Sequence, residues 1–110
     1  MTPKQILAAA RALLSPPQSW SQHAWAYDET DTRVAYDAKT ACSFCLEAAL
    51  RRAAKRGRAS EANLERALIL VRDSIHVPGH YASLQGWNDV HDRTQQQVLA
   101  VLDKAIAAAP

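Results

Sequence analysis

Four stretches of this chain carry alanine, leucine, isoleucine and valine at helical spacing, and almost every aromatic ring lies outside them. Ile6, Leu7, Ala10, Leu13 and Leu14 form the first stripe. Cys42, Cys45, Leu46, Ala49 and Ala53 form the second, with Leu50 beside it. Leu64, Ala67, Leu68, Val71 and Ile75 form the third, and Val98, Leu99, Leu102, Ala105 and Ile106 the fourth. Side chains recurring at three and four residues share one face of a helix, and each apolar face must be covered by another element. The run Leu68-Ile69-Leu70-Val71 is apolar all round, which marks the third helix as central and well buried.

Capping chemistry sets the expected boundaries. Thr2 caps the first helix with Pro3 at its first position and Gln5 at the capping-box position, and Pro16-Pro17 ends it. Asp37 or Thr40 is the expected cap of the second helix, with Gly57 as its stop. Ser60 caps the third helix. Asp92, with Gln95 three residues on, is the expected cap of the last.

The rings and imidazoles gather in two connectors. Trp20, His23, Trp25, Tyr27 and Tyr36 fall in the first; His76, His80, Tyr81, Trp87 and His91 fall in the second, and Phe44 alone lies inside a helical pattern. In His23-Ala24-Trp25-Ala26-Tyr27 large residues alternate with alanines. An acidic turn, Asp28-Glu29-Thr30-Asp31-Thr32, separates this run from Arg33-Val34-Ala35-Tyr36, which together predict a β-hairpin. A lone hairpin is marginal in water, so it must rest on the helices. The second connector, His76 to Asp92, contains Pro78-Gly79 and Gly86 and has no helical period over its length. The predicted fold is mainly α (α+β): about four helices in one layer-packed domain spanning 1–110, with the hairpin inserted after the first helix. At 110 residues a single core is large enough to hold without staples.

In this order the segments resemble the DUF6197 family of small bacterial and phage proteins. The resemblance covers nearly the whole chain. It rests on the opening Thr2-Pro3-Lys4-Gln5-Ile6-Leu7, on Trp20 after the break, and on Phe44-Cys45-Leu46-Glu47-Ala48-Ala49-Leu50 with Arg52-Ala53-Ala54. Trp87-Asn88-Asp89 ahead of Arg93-Thr94 and the closing Val98–Ile106 block complete it. The family pattern carries a glycine near Ala48, a departure that bears on helix packing there. The resemblance implies this layout and supplies no activity, cofactor or catalytic residue.

Composition narrows the function classes. A chain 48% hydrophobic and 22% charged is ordinary for a soluble globular protein, and a net charge of +2 is too small to call for nucleic acid or a membrane. Lys4 and Arg11 interrupt the apolar residues of Met1–Leu14, which therefore reads as a helix and not as a signal peptide. No apolar run approaches the ~18 residues that span a bilayer. With two cysteines and no export signal, the expected compartment is the reducing cytoplasm.

Several constellations could carry chemistry. Cys42-Ser43-Phe44-Cys45 is a Cys-x-x-Cys motif at an expected helix start, where a thiolate is favoured. Against a redox pair stands the placement of both sulfurs on an apolar face and the lack of any parallel-sheet pattern. Cys42 and Cys45 with His76 and His80 form the ligand set of a zinc site, though the halves are far apart. A Cys–His enzyme would use Cys45 or Cys42 as nucleophile, His80 or another imidazole as base, and Asp89 or Asn88 to orient it. Gly86-Trp87-Asn88-Asp89 offers an indole, an amide and a carboxylate to a ligand, or a plug and turn groups to the fold itself. Arg51, Arg52, Lys55, Arg56 and Arg58 are a small basic patch or a solvated last turn that complements the helix dipole.

The expectation is a non-enzymatic binding module without a cofactor. Its face would form where Trp25 and Tyr27 meet Tyr81, Trp87, Asn88 and Asp89, and its partner would be a protein or a small polar ligand. Ala-rich stripes also leave pairing into a homodimer open.

Overall fold

The computed structural model describes residues 1–75 and 83–110. Its elements run α1 (Pro3–Leu14), β1 (Ala26–Tyr27), β2 (Arg33–Val34), β3 (Ser43–Phe44), α2 (Leu46–Arg56), α3 (Glu61–Ser74), α4 (Leu84–Asn88) and α5 (Gln95–Ala108). The architecture is mainly α with a small antiparallel sheet, ordered β2-β1-β3.

The capping box at the first helix forms as the residues dictate. Thr2 Oγ1 accepts Gln5 N at 3.1 Å and Gln5 Oε1 accepts Thr2 N at 2.8 Å. Ile6, Leu7, Ala10 and Leu14 then disappear completely from solvent. They face α2, α3 and α5 together, so α1 is the helix at the centre of the packing. That place was expected of α3, which instead keeps Glu65, Arg66, Arg72 and Asp73 in water and leaves Ile69 half-buried. Ser60 caps α3 by accepting Asn63 N at 3.1 Å, as expected.

The hairpin is present and gains a third strand. Ala26 pairs with Val34 on one side and with Phe44 on the other. Phe44 therefore belongs to β3 and not to a helix. Beyond β3, Trp20 forms a parallel bridge with Phe44, fixed by Ser21 N to Phe44 O at 3.0 Å and Phe44 N to Ser19 O at 2.9 Å. The acidic turn closes on Asp28, whose Oδ1 accepts Thr30 N at 2.9 Å and Thr32 N at 3.0 Å. The Thr30 hydroxyl, which donates to the same oxygen at 2.7 Å, and then these backbone bonds hold the Asp28 carboxyl below the ordinary carboxylate value.

Two helix starts differ from expectation. The second helix begins at Leu46 and not near Asp37 or Thr40, because its cap is Cys45, whose Sγ accepts Ala48 N at 3.4 Å. Leu46 N, another orphan donor of that first turn, is taken by Asn88 Oδ1 at 3.0 Å from across the fold. The last helix is capped by Thr94 with Gln97 and not by Asp92 with Gln95. Gln95 is used elsewhere: its Nε2 donates to Leu14 O at 2.6 Å and Pro16 O at 2.8 Å, tying α5 to the end of α1. Gly57 does stop α2, but at φ −85°; the left-handed residue there is Arg58, at φ 53°. Ala48 is fully buried within α2. The second connector holds the five-residue helix α4, which has too few turns to leave a periodic signature.

Candidate functional site

The two connectors do meet, and they meet through polar groups. Asn88, at the end of α4, is completely buried. Its Oδ1 accepts Trp20 Nε1 at 2.7 Å as well as Leu46 N, while its Nδ2 donates to Ser21 O at 3.1 Å and Asp89 Oδ1 at 3.0 Å. Both halves of the amide are thus spent on protein, which makes Asn88 the clasp between the connectors. Gln22 adds to it, its Nε2 donating to Asn88 O at 3.0 Å and Val90 O at 2.9 Å.

Asp89 completes the clasp. Its Oδ1 accepts His23 N at 2.9 Å and its Oδ2 accepts Gln85 Nε2 at 2.7 Å. Burial pushes the Asp89 carboxyl up, but the bonds from His23, Asn88 and Gln85 outweigh it and hold the group below its ordinary value. Asp89 is therefore a fixed carboxylate.

These bonds shape the wall of a cavity of about 610 Å³ lined by Gln18, Trp20, Ser21, Gln22, His23, Tyr27, Asp31 and Ser43. Tyr27 donates its hydroxyl to Gln22 O at 2.9 Å, so ring and loop hold each other in place. The Ser21 hydroxyl is buried with no partner among the described residues. Gln18, His23 and Asp31 have φ of 67°, 74° and 60°, left-handed values that cost free energy in a residue other than glycine. Three of the four such residues found in the described chain line this one cavity.

Of the residues expected to form a binding face, Tyr27 lines the cavity and Asn88 and Asp89 stand behind its wall. Trp25 and Trp87 do not line it. Trp87 is 5% exposed and packed in the core, with the Arg93 guanidinium 3.9 Å from its ring centroid and Arg93 Nε donating to Trp87 O at 3.0 Å. Trp25 is 42% exposed, tilted against Tyr36 at 5.9 Å between centroids, with Arg51 5.8 Å over its ring. Tyr81, His76 and His80 lie outside the described residues.

The cysteines are separated by role. Cys45 is fully buried as the cap of α2, the place expected of Asp37 or Thr40. Burial pushes its thiol up to about 11, with Ala48 N pulling the other way. At neutral pH it is a protonated capping group and a poor nucleophile. Cys42 is exposed just before β3, and not on a buried helical face, its Sγ 3.6 Å from Tyr27 O. Both are free, and among the described residues no group of three His, Cys, Asp or Glu could hold a metal.

Trp20, Gln22, Ser21 and Gln18 were not singled out as site residues. One signal pointed at them: Trp20 follows the Pro16-Pro17 break in a short polar stretch, where an indole N–H needs an acceptor if buried.

A family model described as "Family of unknown function (DUF6197)" matches residues 1–108. The chain belongs to the DUF6197 family. No curated protein and no solved structure matches it. Among the described residues, no helix is long and apolar enough to cross a membrane.

Proposed function

We propose that this DUF6197 protein is a non-enzymatic binding module of the bacterial or phage-infected cytoplasm that holds a small polar ligand in the Trp20–Tyr27 cavity. The observation that carries this reading is the concentration of left-handed backbone at Gln18, His23 and Asp31 around one concavity. Strain of this kind persists where the surroundings impose it, and it clusters at ligand clamps. At His23 the surroundings are the buried Asn88 amide and the Asp89 carboxylate, and at Gln18 and Asp31 they are the local turns closed on Pro16 O and Asp28 O, so the loops are fixed before any ligand arrives. Such preorganisation lowers the ordering cost of binding. Trp20 and Tyr27 supply flat apolar walls, and Ser21, His23, Asp31 and Ser43 supply hydrogen-bonding groups of both kinds.

The test is a thermal-shift screen against amino acids, nucleosides and sugars, repeated on Tyr27→Leu and His23→Asn. Asparagine keeps the tolerance for a left-handed backbone while removing the imidazole. Stabilisation of the natural chain that both variants lose supports the reading. Hits that bind both variants unchanged would falsify it.

A second reading rests on Trp25, which is half-exposed beside Tyr36 and Arg51. Tryptophan flanked by arginine is the composition of a protein-contact hot spot. On this reading a protein partner, including a second copy of the chain, docks there. Sedimentation of Trp25→Ser against the natural chain tests the second-copy version: an unchanged mass for both removes it.

A further inference from the structure

The end of α2 has a different character from the cavity just described. Arg52 is 4% exposed, and a guanidinium that deep in a fold is normally matched by a carboxylate. Among the described residues Arg52 has none in hydrogen-bond contact. Its Nη1 donates to two backbone carbonyls, Tyr36 O at 2.8 Å and Ala38 O at 2.9 Å. Its Nε is buried without a partner among the described residues. The guanidinium carbon lies 4.9 Å from the centre of the Phe44 ring, which steadies the cation but does not neutralise it.

Arg52 walls a cavity of about 240 Å³ together with Asp37, Lys55 and Arg56. The one acid of that wall among the described residues, Asp37, is engaged by Lys55. Burial first, and Arg56 second, push the Arg52 guanidinium down, with Asp37 pulling it back. Three cations and one carboxylate leave the cavity wall with two uncompensated positive charges, which is the charge of a phosphate group reversed. Sequence alone allowed this cluster to be a solvated last turn; the buried, underused Arg52 is what sets it apart.

We propose that the Asp37–Arg52–Lys55–Arg56 cavity is a phosphate site, taking inorganic phosphate or the phosphate of a small soluble monoester. Arg56 presents a planar donor fork, Arg52 adds the Nη2 that its two carbonyls leave free, Lys55 contributes a mobile cation, and Phe44 keeps the Arg52 plane fixed. Asp37 acts as the internal occupant that an entering anion displaces from Lys55.

The experiment is an NMR titration of the full chain with inorganic phosphate and with phenyl phosphate, against sodium chloride at matched ionic strength, reading the arginine Nε–H signals. Saturable shifts with phosphate and not with chloride are expected. Arg56→Gln should weaken binding about tenfold, the loss of one charge-assisted contact. Asp37→Asn should tighten it several-fold, because Lys55 is released. Arg52 also holds two carbonyls, so its removal is not the decisive variant; Arg56→Gln and Asp37→Asn leave those bonds in place. Shifts that track ionic strength alone overturn the site, as does saturable binding that neither variant alters. Capture only by vesicles of phosphatidic acid in phosphatidylcholine, with no response to the soluble ligands, overturns it too. This site shares no residue with the Trp20–Tyr27 cavity, so either reading can fail without the other.

Discussion

Replacing Asn88 by alanine removes the clasp without touching the surface. Two buried donors then lose their acceptor: Trp20 Nε1, now 2.7 Å from Oδ1, and Leu46 N, now 3.0 Å from it. A buried polar group left unpaired costs about 1–3 kcal/mol. Water can reach the half-buried Trp20 more readily than the fully buried Leu46, so the two penalties together come to about 3 kcal/mol. For a domain of this size that corresponds to a fall of about 10–20 °C in Tm. The assay is urea unfolding monitored by far-ultraviolet circular dichroism, with Trp20→Phe as the second arm of a double-mutant cycle. Phenylalanine deletes the indole N–H, so in the Asn88→Ala background there is no orphan left at that position to penalise. A coupling of about 1–2 kcal/mol between the two sites is expected. A loss below 1 kcal/mol for Asn88→Ala, or strictly additive variants, would mean that the amide does not join the connectors.

Other consequences follow from the same geometry. Native protein treated with a thiol reagent at pH 7.5 should label Cys42 and spare Cys45 until the chain unfolds; rapid labelling of both would contradict a buried capping thiol. Because the Cys45 pKa is raised to about 11, the folded state holds that proton longer than the unfolded chain. Its contribution to stability is complete below the ordinary thiol value and is lost as pH rises toward 11, so Cys45→Ser should flatten the alkaline end of the stability curve. Asp89 has the opposite sign: its lowered pKa gives stability present above about pH 4 and lost as pH falls through the folded value. Asp89→Asn should therefore be less stable than the natural chain at pH 7, with the gap closing in acid. Trp87→Ala should cost about 3–5 kcal/mol, the toll of emptying a large core position, and equal stability of the two proteins would remove Trp87 from the core.

The helices were legible because their stripes are plain: Ile6, Leu7, Ala10 and Leu14, or Val98, Leu102 and Ala105, repeat at intervals that only a helix places on one face. Thr2 and Ser60 were legible because their caps are local. The start of α2 was not, since its cap is the thiol of Cys45, a weak acceptor outside the usual capping residues, and Leu46 N is satisfied from 42 positions away. With that cap invisible, Cys42 and Phe44 continued the helical pattern backwards, and strand β3 was hidden inside it. The start of α5 moved for a similar reason: Gln95, a capping partner by local rules, is drawn to the carbonyls that end α1.

The candidate site was legible in outline. Segregation of rings and imidazoles pointed to the connectors as the proposed surface, and Asn88 and Asp89 hold the two together. What spacing could not rank was which ring goes where. Trp25 projects into solvent, Trp87 turns into the core, and Trp20, half-buried, lines the cavity. Left-handed backbone at His23 goes with a tertiary bond from its N–H to Asp89, and at Gln18 with the local turn closed by Ser19 N on Pro16 O; neither has a glycine to announce it.

These three different settings allow one decisive measurement. With 5-fluorotryptophan in place of all three indoles, fluorine NMR reports each ring separately, and single Trp→Phe variants assign the signals. Adding a ligand found in the metabolite screen should shift the Trp20 resonance and leave Trp25 and Trp87 nearly still. A response confined to Trp25 or Trp87, with Trp20 silent, would show that the clasped cavity is not where this protein binds.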